Sequence, residues 1–192
     1  MAPQPGTGKR TPGHKIYPYL LRKLPIVRPN QVWALDTTYI PMARGFVYLT
    51  AVVDVASRKV LAHRVAITLE TIHAKEVIEQ ALARYGAPEI VNTDQGSQLR
   101  FKQYTSEHLQ DLLRAQGITR SMSRAGEVWD NSAMESSFSS MKTERCNRKV
   151  YRTRSQAKSD VFDCIETFYN PKRRHLTLGY ISPVQFEEAL KA

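Results

Sequence analysis

Three acidic residues have side chains and surroundings that could support metal-dependent chemistry. Asp36 interrupts an apolar, strand-forming run, Asp94 ends another short apolar run, and Glu135 follows possible helix N-caps. Hard divalent cations such as Mg²⁺ prefer carboxylate oxygens and keep positions open for water and phosphate. Two such ions, roughly 4 Å apart, can activate the attacking oxygen and stabilise the leaving oxygen of an in-line displacement. The three residues therefore predict a phosphoryl-transfer site, provided that the fold brings them together.

Simpler interpretations of the acidic residues remain open at this point. Asp36 could face solvent on an amphipathic strand, because surface carboxylates are common. Asp94 could stabilise an ordinary Asp-Gln-Gly turn, and Asp54 is expected to do so at the end of its own strand. Other chemistries lack sequence support: Cys146 and Cys164 do not have zinc-ligand spacing, and neither a Walker nor a Gly-x-Ser-x-Gly sequence is present.

Composition indicates the type of partner. The 192 residues can form one substantial core, and the net charge of +10 with a pI near 9.8 favours a polyanionic partner, most often nucleic acid. A merely basic globular protein is the alternative. Apolar runs of membrane length and a signal-peptide core are absent from the sequence. We therefore expect a cytoplasmic protein with reduced cysteines and no membrane partner.

The first half of the chain predicts a sheet. Three strand-forming runs, joined by short turns, cover 31–40, 46–54 and 59–67, which indicates an antiparallel meander. A helical pattern then runs to about Tyr85 and is followed by a short strand over 89–94. Strand, helix and strand in this order predict a parallel crossover, and functional carboxylates favour the carboxyl ends of such strands.

The second half predicts mainly helices. The expected elements are a helix over 104–116, a strand over 118–123, a long helix capped by Asp130 or Asn131, a helix ending near Phe168–Tyr169, and a terminal helix near Pro183.

One face of the long helix combines an acid with basic residues. Asn131 lies one turn before Glu135, and Lys142, Arg145 and Lys149 continue approximately the same stripe. Such a stripe suits DNA beside a metal-bound phosphate. We therefore predict DNA contacts at these four polar and basic positions, and at Arg124 in the preceding loop. A solvated face with ion pairs is the alternative, above all for the distal basic residues.

The predicted organisation has three parts. Residues 1–30 are basic and rich in proline and glycine, which predicts a flexible arm that lies along phosphates or a linker left by an upstream domain. Residues 31–170 are expected to form the catalytic core. Residues 171–192, which begin with a dense basic cluster, are expected to form a C-terminal extension.

Seven sequence motifs match, in order, the integrase-core region of bacterial insertion-sequence transposases. They are Trp33–Ile40, Asp54–Arg58, Asn92–Gln98, Ser121–Ser123, Asp130–Phe138, Lys142–Glu144 and Tyr169–Pro183. The chain resembles the third insertion-sequence family, whose catalytic domain is similar to retroviral integrases. Each motif alone is modest, but seven in register are highly specific.

The resemblance implies an α/β ribonuclease H-like fold with a mixed five-stranded sheet flanked by helices. It implies a DDE triad of Asp36, Asp94 and Glu135, which act as catalytic residues and as metal ligands. The implied activity is DNA strand cleavage and strand transfer with two Mg²⁺ ions, for which Mn²⁺ substitutes. The implied partners are double-stranded DNA, as element ends and target, and further copies of the chain on that DNA, near the bacterial nucleoid.

Two alternative functions remain open. One is a ribonuclease H-like nuclease that cuts without joining, and the other is an inactive, DNA-binding transposase remnant. The sequence also departs from the family in two places. Only the basic arm stands where the family carries a helix-turn-helix region, and Leu99–Gln103 is inserted before Tyr104-Thr-Ser106. We expect the insertion to lie in a loop, where closure entropy grows slowly with length.

Overall fold

The structure is a computed structural model that describes residues 17–94, 106–124 and 131–191. Its centre is a five-stranded sheet in the order β3-β2-β1-β4-β5. The strands are β1 (Val32–Pro41), β2 (Phe46–Asp54), β3 (Val60–Ala66), β4 (Ile90–Thr93) and β5 (Thr119–Met122). The mixed sheet predicted from the sequence is therefore confirmed.

The connections explain the strand directions. β1, β2 and β3 are antiparallel neighbours, because short turns join them. β4 pairs in parallel with β1, and β5 in parallel with β4. A parallel neighbour requires a crossover, which α1 (Thr71–Tyr85) provides between β3 and β4. Gly86 ends α1 at a φ of 75°, where its amide donates to the Leu82 carbonyl at 3.0 Å.

Helices cover both faces of the sheet. Besides α1 they are α2 (Glu107–Ala115), α3 (Ser132–Glu144), α4 (Arg154–Asp163) and α5 (Pro183–Ala189), and a π-helical segment, Cys164–Tyr169, continues α4. The described helices do not include one with the length and apolar character needed to cross a membrane.

The alternation of β1 assigns its side chains to two cores. Trp33 and Leu35 pack in the cluster that contains residues of α1 and α2. Ala34 and Ile40 pack in the opposite cluster, with residues of α3 and α4. Because side chains alternate along a strand, Asp36 points toward the α3 side of the sheet.

The second half of the predicted arm contacts the core. The Leu20 amide donates to Ser121 Oγ at 3.0 Å, and the Met122 amide donates to the Pro18 carbonyl at 3.4 Å. Residues 17–20 therefore lie beside β5, the edge strand, and satisfy part of its backbone. Residues 1–16 are outside the described ranges, so a flexible basic arm there stays a prediction.

Asn170, the last residue of the predicted core, and the predicted C-terminal extension after it are both bonded to the β2–β3 region. Asn170 Oδ1 accepts from the Val60 amide at 2.9 Å, and Asn170 Nδ2 donates to the Val60 carbonyl at 2.9 Å. In α5, Glu187 accepts from Ser57 Oγ at 3.0 Å and from Lys59 Nζ at 2.7 Å. The segment from Asn170 onward therefore stabilises β3, the edge strand of the meander.

The insertion Leu99–Gln103 lies outside the described residues. β4 ends at Thr93, and the side chain of Ser106 caps α2 by accepting from the Leu109 amide at 3.4 Å. A loop position for the insertion stays a prediction.

Replacing Asn170 tests the role of the C-terminal segment. Asn170→Ala leaves the buried amide and carbonyl of Val60 without their side-chain partner, so we expect unfolding free energy to fall by about 2–4 kcal/mol. Denaturant titration measures the loss. Glu166→Ala, at an exposed position four residues earlier, is the control and should change stability little. Equal stability of the two variants would contradict the role given to Asn170.

Candidate active site

Asp36 and Asp94 lie next to each other because of strand register. The parallel pairing of β1 with β4 ends with Leu35 opposite Thr93. Asp36 and Asp94 are the next residues on the two strands, and neighbouring strands are about 4.8 Å apart. In-register residues point to the same face, so both carboxylates leave the sheet on the α3 side.

The environment of Asp36 is buried but not apolar. The residue is 6% exposed, and its Oδ1 accepts from the Thr37 amide at 2.7 Å. Beyond Leu35, β1 continues to Pro41 in pairing with β2, whereas its pairing with β4 has ended. This leaves room for a cleft beside Asp36. The interpretation of Asp36 as a solvent-facing strand residue is therefore wrong.

Glu135 reaches the same cleft from the first turn of α3. Met134, Phe138 and Met141 are buried and fix the helix on the sheet. This leaves Glu135 exposed on the side of the helix that faces the strand ends. The cleft has a volume of about 460 Å³ and is lined by Asp36, Thr37, Thr38, Asp94, Glu135, Phe138, Ser139, Lys142 and Thr143.

The cleft has the right donors for a hard cation but does not already hold them at ligand distance. Three carboxylates on separate elements are the oxygen donors that Mg²⁺ prefers. Within residues 17–94, 106–124 and 131–191, no three His, Cys, Asp or Glu side chains lie close enough to hold a metal ion. Neighbouring carboxylates repel without a cation, and the exposed side chain of Glu135 has space to move. The donor set fits a divalent cation that draws these side chains together.

Lys142 is the one predicted DNA-contact residue that the structure brings to the carboxylates. It lies two turns after Glu135 on the same helix face and lines the same cleft. Its Nζ is 4.4 Å from the ring centroid of Tyr39. The sequence predicted the lysine but missed the tyrosine, because Tyr39 reads as an ordinary strand former.

Arg145 and Lys149 instead form a structural ion-pair cluster. Arg145 Nε and Nη2 donate to Asp160 Oδ1 at 3.0 and 2.9 Å, and Lys149 pairs with the same atom. Tyr151 donates its hydroxyl to Asp160 Oδ2 at 2.6 Å. Burial alone would raise the pKa of Asp160, but these hydrogen bonds outweigh it and lower the pKa to about 2. The cluster joins the end of α3 to α4, and a DNA contact by Arg145 or Lys149 stays a prediction.

Asn131 and Arg124 lie away from the carboxylate cleft. Asn131 is 6% exposed and lines a separate cavity of about 110 Å³ with Tyr19 and Leu21. Arg124 lies over the Tyr19 ring, at 5.6 Å from its centroid. Arg124 contacts this N-terminal segment, and Asn131 faces a cavity that the segment helps to line; their role in DNA binding also stays a prediction.

A second contact, which sequence reasoning missed, holds the middle of α3. Tyr169 donates its hydroxyl to Ser137 Oγ at 2.8 Å, and Ser137 donates to the Ala133 carbonyl at 2.9 Å. Arg173 forms a bidentate pair with Glu144 at the end of the same helix, through Nε at 3.0 Å and Nη2 at 2.7 Å. The motif around Tyr169 was the signal that could have suggested this role.

His175 completes this support. Its ring packs edge-to-face against Tyr169 with centroids 5.2 Å apart. Burial, together with the positive charges of Arg173 and Arg58, lowers the pKa of His175 to about 4. The imidazole is therefore neutral at physiological pH. Its role is to pack against Tyr169, which bonds to α3.

Comparison with known proteins identifies the family. The integrase core domain model matches residues 27–127, and a second integrase core domain model matches residues 135–190. The chain belongs to the integrase core domain family. The resemblance inferred from the seven motifs is thereby confirmed.

The relatives of this integrase core include bacterial transposases. The transposase for insertion sequence element IS904 of Lactococcus lactis is 41% identical over 162 residues, which are 83% of this chain and 62% of that protein. The transposase InsF for insertion sequence IS3A of Escherichia coli is 37% identical over 161 residues, 83% of this chain and 54% of that protein. The chain thus spans little more than half the length of the curated relatives it matches.

Solved structures confirm the ribonuclease H-like fold of retroviral integrase cores. The HTLV-2 integrase catalytic core domain in complex with magnesium aligns with a TM-score of 0.61 at 17% identity, over 84% of this chain and 98% of that one. The BIV integrase catalytic core domain aligns with a TM-score of 0.60 at 17% identity, over 84% of this chain and 96% of that one. At these identities the likeness is one of fold.

Removing the Asp160 carboxylate tests the ion-pair cluster. Asp160→Asn leaves Arg145 and Lys149 without their counter-charge, so we expect unfolding free energy at neutral pH to fall by roughly 3 kcal/mol. The lowered pKa of Asp160 means that its contribution is present above about pH 4 and is lost as pH falls toward 2. The difference between wild type and variant should therefore shrink in that acid range.

Denaturant unfolding at several pH values measures this difference. Asp163→Asn, at an exposed position one turn further along α4, is the matched control and should be close to wild type. A constant difference down to about pH 2 would show that Asp160 does not act as a charged partner.

Proposed function

We propose that this chain is the catalytic core of an insertion-sequence transposase that cleaves DNA strands and joins them to target DNA. The observation that carries the proposal is that Asp36, Asp94 and Glu135, from three separate elements, line one cleft in a chain of the integrase core family. Carboxylates gathered in this way suit in-line displacement at a phosphate.

The cofactor proposed for the cleft is Mg²⁺, with Mn²⁺ as a substitute and two ions during catalysis. Asp36, Asp94 and Glu135 are the residues that would hold them. When bound, the ions supply charge for the attacking and leaving oxygens. Asp36 and Asp94 keep their positions through strand register, while Glu135 completes the donor set from α3.

Lys142 is proposed to bind the DNA backbone next to the reacting phosphate. Among the described residues, it is the cation that lines the cleft together with the three carboxylates. An ammonium in this position attracts phosphate and limits the strand to one side of the acidic residues. Arg124, Asn131, Arg145 and Lys149 remain weaker proposals, since none of them lines the cleft.

The proposed partners are element-end and target DNA, bound by more than one copy of the chain. A simian T-cell lymphotropic virus intasome aligns with a TM-score of 0.66 at 19% identity, over 92% of this chain and 60% of that one. Together with the bacterial transposase relatives, this supports an assembly on DNA and a place at the nucleoid. The net charge of +10 suits such a partner.

Two other functions have clear discriminating tests. A nuclease on the same fold would nick DNA with metal but would not form joined products. An inactive remnant would bind DNA and produce neither. Incubation of the chain with its element-end DNA and a target plasmid distinguishes all three, because nicked and joined products are measured separately.

Neutralising the carboxylates tests the proposed reaction. We expect Asp36→Asn and Glu135→Gln to abolish Mg²⁺-dependent nicking and joining, while DNA binding stays within a few-fold of wild type. Loss of one negative charge should leave the melting temperature unchanged or raise it, because neighbouring carboxylates repel. Gel assays and thermal melts measure the two effects.

The control for these variants is Glu166→Gln, which neutralises an exposed acid on the π-helical segment. It should retain wild-type nicking and joining. Parental nicking rates in Asp36→Asn or Glu135→Gln would refute the assignment of the triad.

Salt dependence tests the proposed role of Lys142. Binding to duplex DNA should weaken steeply with salt and depend little on sequence. Lys142→Ala should reduce the salt slope by about one unit, which corresponds to one phosphate contact. Lys158→Ala, an exposed lysine on α4, is the matched control and should leave the slope unchanged. An unchanged slope in Lys142→Ala, or an equal reduction in both variants, would contradict the role given to Lys142.

A further inference from the structure

Three aromatic side chains form an ordered row on the β1–β2 hairpin. The ring centroids of Tyr39 and Phe46 are 6.1 Å apart, and those of Phe46 and Tyr48 are 5.2 Å apart, both edge-to-face. The strand register places Tyr39 opposite Tyr48 and Phe46 opposite Pro41. Positions two apart share a face, so the three rings, here called the aromatic row, lie on the same face of the hairpin.

The aromatic row is not explained by the packing of the core. Tyr39 is 60% exposed and Phe46 is 52% exposed, and Tyr48 is partly buried, whereas the neighbouring strand residues Ile40, Val47 and Leu49 are buried. Single exposed apolar residues are normal, whereas a contiguous exposed row is typical of an interaction site. The edge-to-face contacts fix the rings relative to one another and leave ring surface open to a ligand.

The aromatic row is adjacent to the carboxylate cleft. Tyr39 contacts Lys142, whose Nζ is 4.4 Å from its ring centroid, and Lys142 lines the cleft with Asp36. By strand alternation the rings lie on the opposite face of β1 from Asp36, so Lys142 is the residue that links the aromatic row to the cleft. A strand whose phosphate pairs with Lys142 therefore has its neighbouring base within reach of the rings.

We propose that the aromatic row is a stacking platform for an unpaired base of the DNA strand beside the reacting phosphate. The inference rests on the proposed function and adds a substrate feature to it: the DNA is opened next to the cleavage position. Aromatic rings accept any base, since every base presents a flat face. Aromatic rings next to a basic residue form the combination that binds single strands without recognising their sequence.

Charge favours a nucleic acid over a protein as the occupant of the aromatic row. The basic residues next to it are Lys142 and Arg44, the latter in the exposed hairpin turn, and the whole chain carries a net charge of +10. Two copies of a surface with this charge would repel each other on approach. A second copy of the chain on the aromatic row is nevertheless an outcome that the experiment must distinguish.

The experiment compares two DNA ligands with the full 192-residue chain in buffer without divalent metal. Fluorescence anisotropy gives the dissociation constants for a fully paired duplex and for the same duplex with a short unpaired tail. We expect wild type to bind the tailed duplex about tenfold more tightly, the size of effect that base–aromatic stacking produces. The combined substitution Tyr39→Ala and Phe46→Ala should remove this preference.

Two further variants separate stacking from other effects. Tyr39→Phe keeps the ring and should keep the preference. Phe162→Ala removes a similarly exposed ring elsewhere, on α4, and should also keep it. Wild-type crosslinking provides a readout that does not depend on variant folding: a tail containing 5-iodouracil should crosslink within 39–48.

Several results would overturn the stacking platform. These are equal affinity of wild type for both ligands, an unchanged preference in the double variant, or crosslinks outside the hairpin. Loss of self-association in the double variant, seen by sedimentation while the tail preference persists, would assign the row to a second copy instead.

The proposed function can fail independently of the stacking platform. Tail preference without metal-dependent nicking would refute only the proposed function. Nicking and joining by a wild type without tail preference would refute only the platform. Asp36→Asn, which should not cleave, should retain the tail preference in full.

Discussion

The parallel pairing of β1 with β4 is the interaction on which the candidate site depends. Its register ends at Leu35 and Thr93, so Asp36 and Asp94 follow at the same level on neighbouring strands. Backbone pairing, rather than attraction between the side chains, makes these two acidic residues neighbours. A bound cation would neutralise their negative charge.

The third carboxylate depends on how α3 is held. Tyr169 bonds Ser137 in the middle of the helix, and Arg173 bonds Glu144 at its end. Both partners come from the last thirty residues, which Asn170 in turn ties to β3 through Val60. The C-terminal segment therefore controls the position of Glu135, although it contributes none of the carboxylates.

The basic side chains of this protein have two different roles: some form ion pairs within the fold, and others line its surface. Arg145 and Lys149 share Asp160, and Arg173 pairs with Glu144, so these cations stabilise the helices that carry or support the site. Lys142 instead lines the cleft and contacts Tyr39. The net charge alone therefore overstates how many basic side chains are available to the proposed DNA partner.

The sequence by itself determined the sheet and its crossover and singled out the three carboxylates as candidates, because these depend on local patterns. Strand-forming runs, short turns and a helix between strands leave few topologies, and seven motifs in order identify the family. The role of Asp54 also followed from a local pattern. Its Oδ1 accepts from the Ser57 amide at 2.7 Å, as expected of an aspartate that stabilises a turn.

Only the tertiary structure decided which residues share a surface. The stripe of Lys142, Arg145 and Lys149 looked uniform along the helix, but Asp160, on the following helix, pairs with two of its members. Tyr39 read as an ordinary strand residue, yet it contacts Lys142 more than a hundred positions later. The period of a helix or strand fixes the direction in which a side chain points. The residue that the side chain contacts depends on how separate elements pack together, and a local sequence pattern does not contain that information.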